Sequence, residues 1–179
     1  MSENSAEQKP VPKGAVAIPV GNYVALVDAT DGELVRAYRW RPKDGGNIHG
    51  EKIYAVAHVG GRCIWMHRLI AGTPAGLETD HANGDSLDNR RGNLRPATRS
   101  QNLANRSKPR RSTPSSSSFK GVYWDRPCRK WRTVIRIEGR SKHLGRYDSE
   151  IDAARAYDVA ALAAWGEFAK PNFPNEVSP

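Results

Sequence analysis

Asp80 and His81 are adjacent in the stretch ETDHANGDSLDNRRGNLRPATRSQNLAN, with Asn93 twelve residues and Asn102 twenty-one residues beyond the histidine. A carboxylate and an amide oxygen are hard donors that suit Mg²⁺, an ion that keeps several waters and binds phosphate oxygens. An imidazole can take a proton from water near neutral pH. Together these groups could hydrolyse a phosphodiester, which needs an activated water, an electrophile on the phosphate and a stabilised leaving oxygen. An Asp-His pair followed by asparagines also describes an ordinary Asx-rich turn. The spacing and the flanking charge favour the chemical reading.

Positioning such groups requires particular elements. Asn83-Gly84-Asp85 is a turn signal, and Thr98-Arg99-Ser100-Gln101 has the pattern of a capping box that starts a helix just before Asn102. A strand end carrying Asp80-His81, a loop, and a helix carrying Asn102 would bring these side chains together. Asp85, Asp88 and Asn89 read as turn residues. His67 reads as packing at a strand end or as support for the site. His49, His58 and His143 have no partner at metal-ligand spacing.

The 179-residue chain carries a formal charge of +9, unevenly distributed. Residues 1–89 hold 9 basic and 11 acidic side chains, whereas residues 90–112 hold 8 basic and none acidic. Such a stripe suits a polyanion. Arg90, Arg91, Arg95, Arg99, Arg106, Lys108, Arg110 and Arg111 supply it, and each can neutralise a phosphate without reading sequence. Cys63 and Cys128 show no CxxC spacing, which argues against a zinc site or a disulfide framework. The polar start of the chain has no apolar signal core, and no apolar run approaches the ~20 residues of a membrane span. The expectation is a soluble protein of a reduced cytoplasm, that of a bacterium or a phage-infected host cell.

Residues 1–13 read as a disordered lead. Residues 14–70 read as β-rich, with runs at Val16–Val20, Tyr23–Val27, Ile53–Val59 and Cys63–Met66. Gly60-Gly61 suggests a tight hairpin, and His67–Ile70 a helical turn. Residues 106–118 (RSKPRRSTPSSSS) read as a basic linker whose serines have nothing to bury. Beyond it, Phe119–Trp124, Trp131–Ile137 and a third strand starting at Lys142–Leu144 precede a helix at Ser149–Trp165. Ser149 with Asp152 could cap that helix. Ala153, Ala154, Tyr157, Ala160, Ala161 and Ala164 would share one helical face. Alternation turns Trp131, Thr133, Ile135 and Ile137 toward the helix and Arg132, Val134 and Arg136 outward.

Two resemblances follow from these residues. Asp80-His81, Asn93 and Asn102, with Met66-His67-Arg68-Leu69-Ile70 upstream, resemble the HNH motif of phage and intron homing endonucleases in its ββα-metal form. The resemblance implies His81 as general base, Asp80 and Asn102 as ligands of one Mg²⁺ (with Mn²⁺ able to substitute), and Asn93 as the asparagine that braces the loop. The third motif position is Asn102 where histidine is also found. The C-terminal segment, through Gly121-Val122, Lys130-Trp131, Ile135-Arg136, Leu144-Gly145, Ala153–Asp158 and Asn172-Phe173-Pro174, resembles the plant Apetala/ethylene-response-factor (ERF) DNA-binding domain. That resemblance implies a three-stranded antiparallel sheet on one helix, with the sheet entering the major groove. Lys120, Tyr123, Arg132, Val134, Arg136 and His143 fall at or near family contact positions, with Arg126, Arg129, Arg140 and Lys142 as nearby basic candidates. Tyr123, Asp125, Val134 and His143 depart from the plant pattern, so the plant target sequence does not carry over.

The expected architecture is α+β, with an HNH nuclease module at 14–105, a linker at 106–118, a DNA-binding module at 119–174 and a tail at 175–179. The expected function is a metal-dependent endonuclease acting on double-stranded DNA, with no small-molecule cofactor and no membrane. Its alternative is a sequence-specific transcriptional regulator on an inactive HNH scaffold. A nucleic-acid chaperone that uses only the basic stripe is a third reading. Oligomeric state is left open.

Overall fold

A computed structural model describes residues 10–45, 52–108 and 115–176. It is a mixed structure of small antiparallel sheets, short helices and one longer C-terminal helix. The chain divides into two compact units, residues 1–74 with 85–96, and residues 75–84 with 97–179.

In the first unit, β1 (Ala15–Val20) and β2 (Tyr23–Asp28) form an antiparallel hairpin turned at Gly21-Asn22. Their alternate residues Ile18, Val20, Ala25 and Val27 are buried, as period-two patterning requires. A 3-10 turn then leads to α1 (Gly32–Arg36). β3 (Arg41–Asp44), β4 (Ile53–Val59) and β5 (Arg62–Trp65) form a three-stranded sheet with β4 central. Pro42 sits on the edge strand β3, where a missing N–H costs no ladder bond. Gly60 and Gly61 both take positive φ (56° and 77°) at the β4–β5 turn, the hairpin chemistry expected of that pair. α2 (Met66–Ala71) follows β5 directly. The core gathers Val20, Val27, Val35, Trp40, Ala55, Ala57, Met66 and Ile70. Residues 85–93 lie against β2: the Leu26 N–H donates to the Leu87 carbonyl and the Asn89 N–H to the Leu26 carbonyl, at 2.8 and 2.7 Å.

The second unit holds β6 (Glu78–His81), α3 (Arg99–Ala104) and the C-terminal segment. β7 (Leu94–Ala97) leads into α3. The segment contains β8 (Val122–Asp125), β9 (Lys130–Ile137) and β10 (Arg140–Tyr147), an antiparallel sheet with β9 in the middle. It ends in α4 (Glu150–Trp165). Thr133 and Ile135 are buried while Arg132 and Arg136 are exposed. The small residues Ala153, Ala154 and Ala161 let α4 lie close to the sheet. Gly121 (φ +79°) is required by that closeness, since a Cβ there would stand 2.0 Å from the Tyr157 ring.

Two expectations need adjustment. Ala164 is exposed and Ala160 half-buried, while Asp158 is drawn in, 3% exposed. Its carboxylate accepts from the Asn172 and Phe173 N–H groups at 2.7 and 2.9 Å, which ties the tail to the helix. The serine run is not uniformly solvated: Ser117 is buried, and its hydroxyl accepts from the Phe119 N–H at 3.0 Å. Ser149 caps α4 through the Asp152 N–H at 3.3 Å. Residues 1–9 of the expected lead, 109–114 of the linker with Arg110 and Arg111, and His49 lie outside the described residues.

Candidate active site and nucleic-acid interface

On β6, Glu78 and Asp80 are two residues apart and so share one side of the strand. On α3, Asn102 is followed three residues later by Asn105, the helix's C-cap, which puts both on one helical face. The two faces meet as a polar ladder. The Asn102 amide donates to the Glu78 carboxylate. The Asn105 amide nitrogen reaches both oxygens of Asp80, at 3.0 and 3.1 Å, and the His81 carbonyl at 2.8 Å. Two strand residues advance about 6.6 Å and three helical residues about 4.5 Å, close enough for successive rungs to match.

Asp80 and His81 are 3% and 5% exposed, an environment in which charge interactions are stronger than in water. Among the described residues no group of three or more His, Cys, Asp or Glu side chains could hold a metal. The donor set present is smaller and of another kind, two carboxylates and an amide. Asn102 spends its nitrogen on Glu78, so its oxygen is the atom it can offer a cation. Oxygen donors from one or two carboxylates, with water completing the shell, are what Mg²⁺ accepts.

The helix bearing these asparagines is six residues long, too short to persist alone in water. The capping box forms in full: the Gln101 N–H donates to the Thr98 hydroxyl at 3.3 Å, and the Thr98 N–H to the Gln101 side chain at 2.8 Å. The Trp165 indole donates to the Ser100 hydroxyl at 3.2 Å, and the Lys120 ammonium donates to the Ala104 carbonyl at the helix end. Burial pushes the Lys120 ammonium down to about 8, aided by nearby Lys170 and opposed by Asp158. Lys120 therefore spends at least part of its charge inside the unit.

Asn93 belongs to the first unit. It is 9% exposed, and its amide donates to the Asp88 carbonyl at 2.7 Å, closing the loop on itself. In the same loop Asp85 accepts from the Leu87 N–H at 3.0 Å. Arg90 makes a two-point contact with Asp88 at 2.8 and 2.7 Å, and Arg91 grips buried Asp31 at the same distances. Their carboxylate partners raise both guanidinium pKa values. Arg99 lies 3.4 Å from Glu78, Arg106 is exposed and Arg95 half-buried. His67 is buried beside the rings of Tyr54 and Trp65, with centroids 5.4 and 5.6 Å away. His58 is exposed.

The C-terminal sheet sorts its candidates by register. Arg132 pairs with Tyr123 on one side and Arg146 on the other, Val134 with His143, and Arg136 with Ser141. Cross-strand partners point the same way, so Tyr123, Arg132, Arg136 and His143 share the face opposite α4. Lys142 and Arg140 pair with Ile135 and Ile137, which face the helix. Arg126 and Arg129 are exposed in the β8–β9 turn, Arg129 at φ 51°. Glu78, Asn105 and Arg146 were not anticipated. The i, i+2 acid pair on a strand and the i, i+3 asparagine pair on a helix were available signals for the first two.

Residues 63–104 match the family model of HNH endonucleases. The chain is 29% identical over 154 residues to an uncharacterized HNH endonuclease, L560, of Acanthamoeba polyphaga mimivirus, covering 83% of this chain and 74% of that one. It is 51% identical over 56 residues to the AP2-like ethylene-responsive transcription factor AIL7 of Arabidopsis thaliana. A further Arabidopsis AP2-like factor, At1g79700, is 36% identical over 97 residues. These matches cover 31% and 44% of this chain, which spans 11% and 31% of the two plant proteins. No solved structure matches.

Proposed function

We propose that the protein is an HNH-type DNA endonuclease that holds duplex DNA with an ERF-like C-terminal module and cuts it at Asp80–His81. The finer architecture of this reading is a ββα nuclease core at 14–105, a linker, and a DNA-reading module at 119–174, to which we assign the 56 residues shared with the plant factors. The ladder of Glu78 and Asp80 against Asn102 and Asn105, all but Asn105 inside the HNH-matched segment, carries the proposal.

Asp80 and Asn102, with Glu78 beside them, would hold a divalent ion, best Mg²⁺. Bound there, the ion would polarise the phosphate and stabilise the leaving 3′ oxygen. His81 takes a proton from water as that water attacks phosphorus. The P–O3′ bond breaks, the 3′ oxygen gains a proton, and the products carry 5′ phosphate and 3′ hydroxyl. Asn105 steadies the Asp80 carboxylate, and Asn93 keeps its loop closed. On the C-terminal sheet, Arg132, Arg136, Tyr123 and His143 form the face offered to the major groove, a geometry that a β-ribbon can adopt. Arg126 and Arg129 reach toward phosphates from the turn.

His81→Ala tests the central role. The variant should retard duplex DNA on a gel like the parent, while nicking with Mg²⁺ falls by about 10²–10⁴, the usual worth of a general base. Undiminished nicking would remove His81 from the mechanism.

A further inference from the structure

The segment Arg36-Ala37-Tyr38-Arg39-Trp40-Arg41 sets arginines among aromatics within an N-terminal half that is net acidic. Trp40 anchors it: the ring is 6% exposed and its N–H donates to the Val35 carbonyl at 2.7 Å. Tyr38 packs beside it, with ring centroids 5.5 Å apart. Trp40 is buried and Tyr38 half-buried against the core, while Arg36, Arg39 and Arg41 are exposed. Together with both rings, these arginines line an open groove of about 560 Å³ whose opposite wall is the β1–β2 hairpin, and no acidic residue lines it.

These arginines differ from others in the same unit. Arg90 and Arg91 are each committed to a buried carboxylate through two donors. Among the described residues, Arg36, Arg39 and Arg41 make no ion pair with an acid. A guanidinium fork without a carboxylate suits a phosphate. Three around one groove, mounted on a segment pinned by Trp40, suit a chain of phosphates. The lining carries no amide side chain to read base edges.

We propose that the Arg36/Arg39/Arg41 groove is a sequence-independent contact surface for the phosphate backbone of duplex DNA. It rests on DNA being the partner and adds a contact that the motifs do not contain. Each phosphate neutralised contributes roughly 0.9 to the slope of log affinity against log salt on B-form DNA. The triple variant Arg36→Gln/Arg39→Gln/Arg41→Gln, titrated with EDTA present, should therefore lose about 2–3 from that slope. The loss should be the same on any duplex sequence. Arg90→Gln/Arg91→Gln should change the slope by less than about 1.

As a check on the parent protein, mass-spectrometric footprinting with an arginine reagent should show Arg36, Arg39 and Arg41 protected by random-sequence duplex. An unchanged slope together with unprotected arginines, in a protein that still binds duplex, would overturn the groove proposal and leave the nuclease reading standing. Failure of the parent to bind duplex at all would overturn both.

Discussion

Two regions of this molecule use the same residue types to different ends. In residues 85–93 every acid, asparagine and arginine with a described contact is turned on its own unit: Arg90 to Asp88, Arg91 to Asp31, Asn93 to the Asp88 carbonyl and Asn89 to the Leu87 carbonyl and the Met66 sulfur. In the ladder of β6 and α3, two carboxylates meet two side-chain amides, and Arg99 adds a guanidinium 3.4 Å from Glu78. The first arrangement pairs each of its arginines with a carboxylate. The second lines up two carboxylates on one side of a strand, the donor type that Mg²⁺ accepts. Fixed loops spend charge on stability, whereas a site holds charge for a ligand.

Breaking each region should therefore give opposite signatures. The largest effect is expected from Asn102→Ala: cleavage should fall about 100-fold or more, equivalent to about 2.7 kcal/mol of lost transition-state stabilisation. DNA affinity in EDTA and the melting temperature should change little. A matching drop in stability would make Asn102 a structural residue like those of the loop. Arg91→Gln should do the reverse. It leaves the buried Asp31 carboxylate without its cation, and because the guanidinium is itself 56% exposed the cost should be about 1–3 kcal/mol, below that of a fully buried pair. Denaturant unfolding should detect it, with cleavage per folded molecule retained.

Asn93→Ala removes the donor to the Asp88 carbonyl, a loss of about 1–2 kcal/mol, and any effect on cleavage should track the unfolded fraction if the loop is only a brace. The smallest effect concerns pH. Lys120 has a folded pKa of about 8 against an ordinary 10.5, so between these values the unfolded chain binds more protons. Stability attributable to this group should rise with pH from about 8 toward 10. Lys120→Met should flatten that rise in pH-dependent denaturation curves, and an unchanged slope would assign the rise elsewhere.

Much of the local structure was legible because it has local causes. The Gly60-Gly61 hairpin, the Thr98–Gln101 capping box and the alternation along β9 are each written within a few residues. α1 and β3 were not legible. Arg41-Pro42-Lys43-Asp44 is an exposed edge strand with neither alternation nor β-branched residues, so nothing in its composition asks for a strand. Asp80, His81 and Asn102 could be singled out from spacing, but Asn105 could not be separated from any other polar helix end until α3 was seen against β6. The arginines show the same limit. Arg91 looks like a phosphate contact in the sequence, because its carboxylate partner Asp31 is 60 residues away in the chain. Arg36, Arg39 and Arg41 look unremarkable there because their neighbours' burial, which exposes them, depends on the tertiary core.

The most direct test of the nuclease reading is incubation of the full chain with a plasmid pool carrying random inserts, with and without Mg²⁺, followed by mapping of the ends. Metal-dependent breaks bearing 5′ phosphate and 3′ hydroxyl are expected, absent with His81→Ala. Retained DNA binding with no breaks under any divalent ion would contradict that reading and leave a DNA-binding regulator built on a silent HNH scaffold.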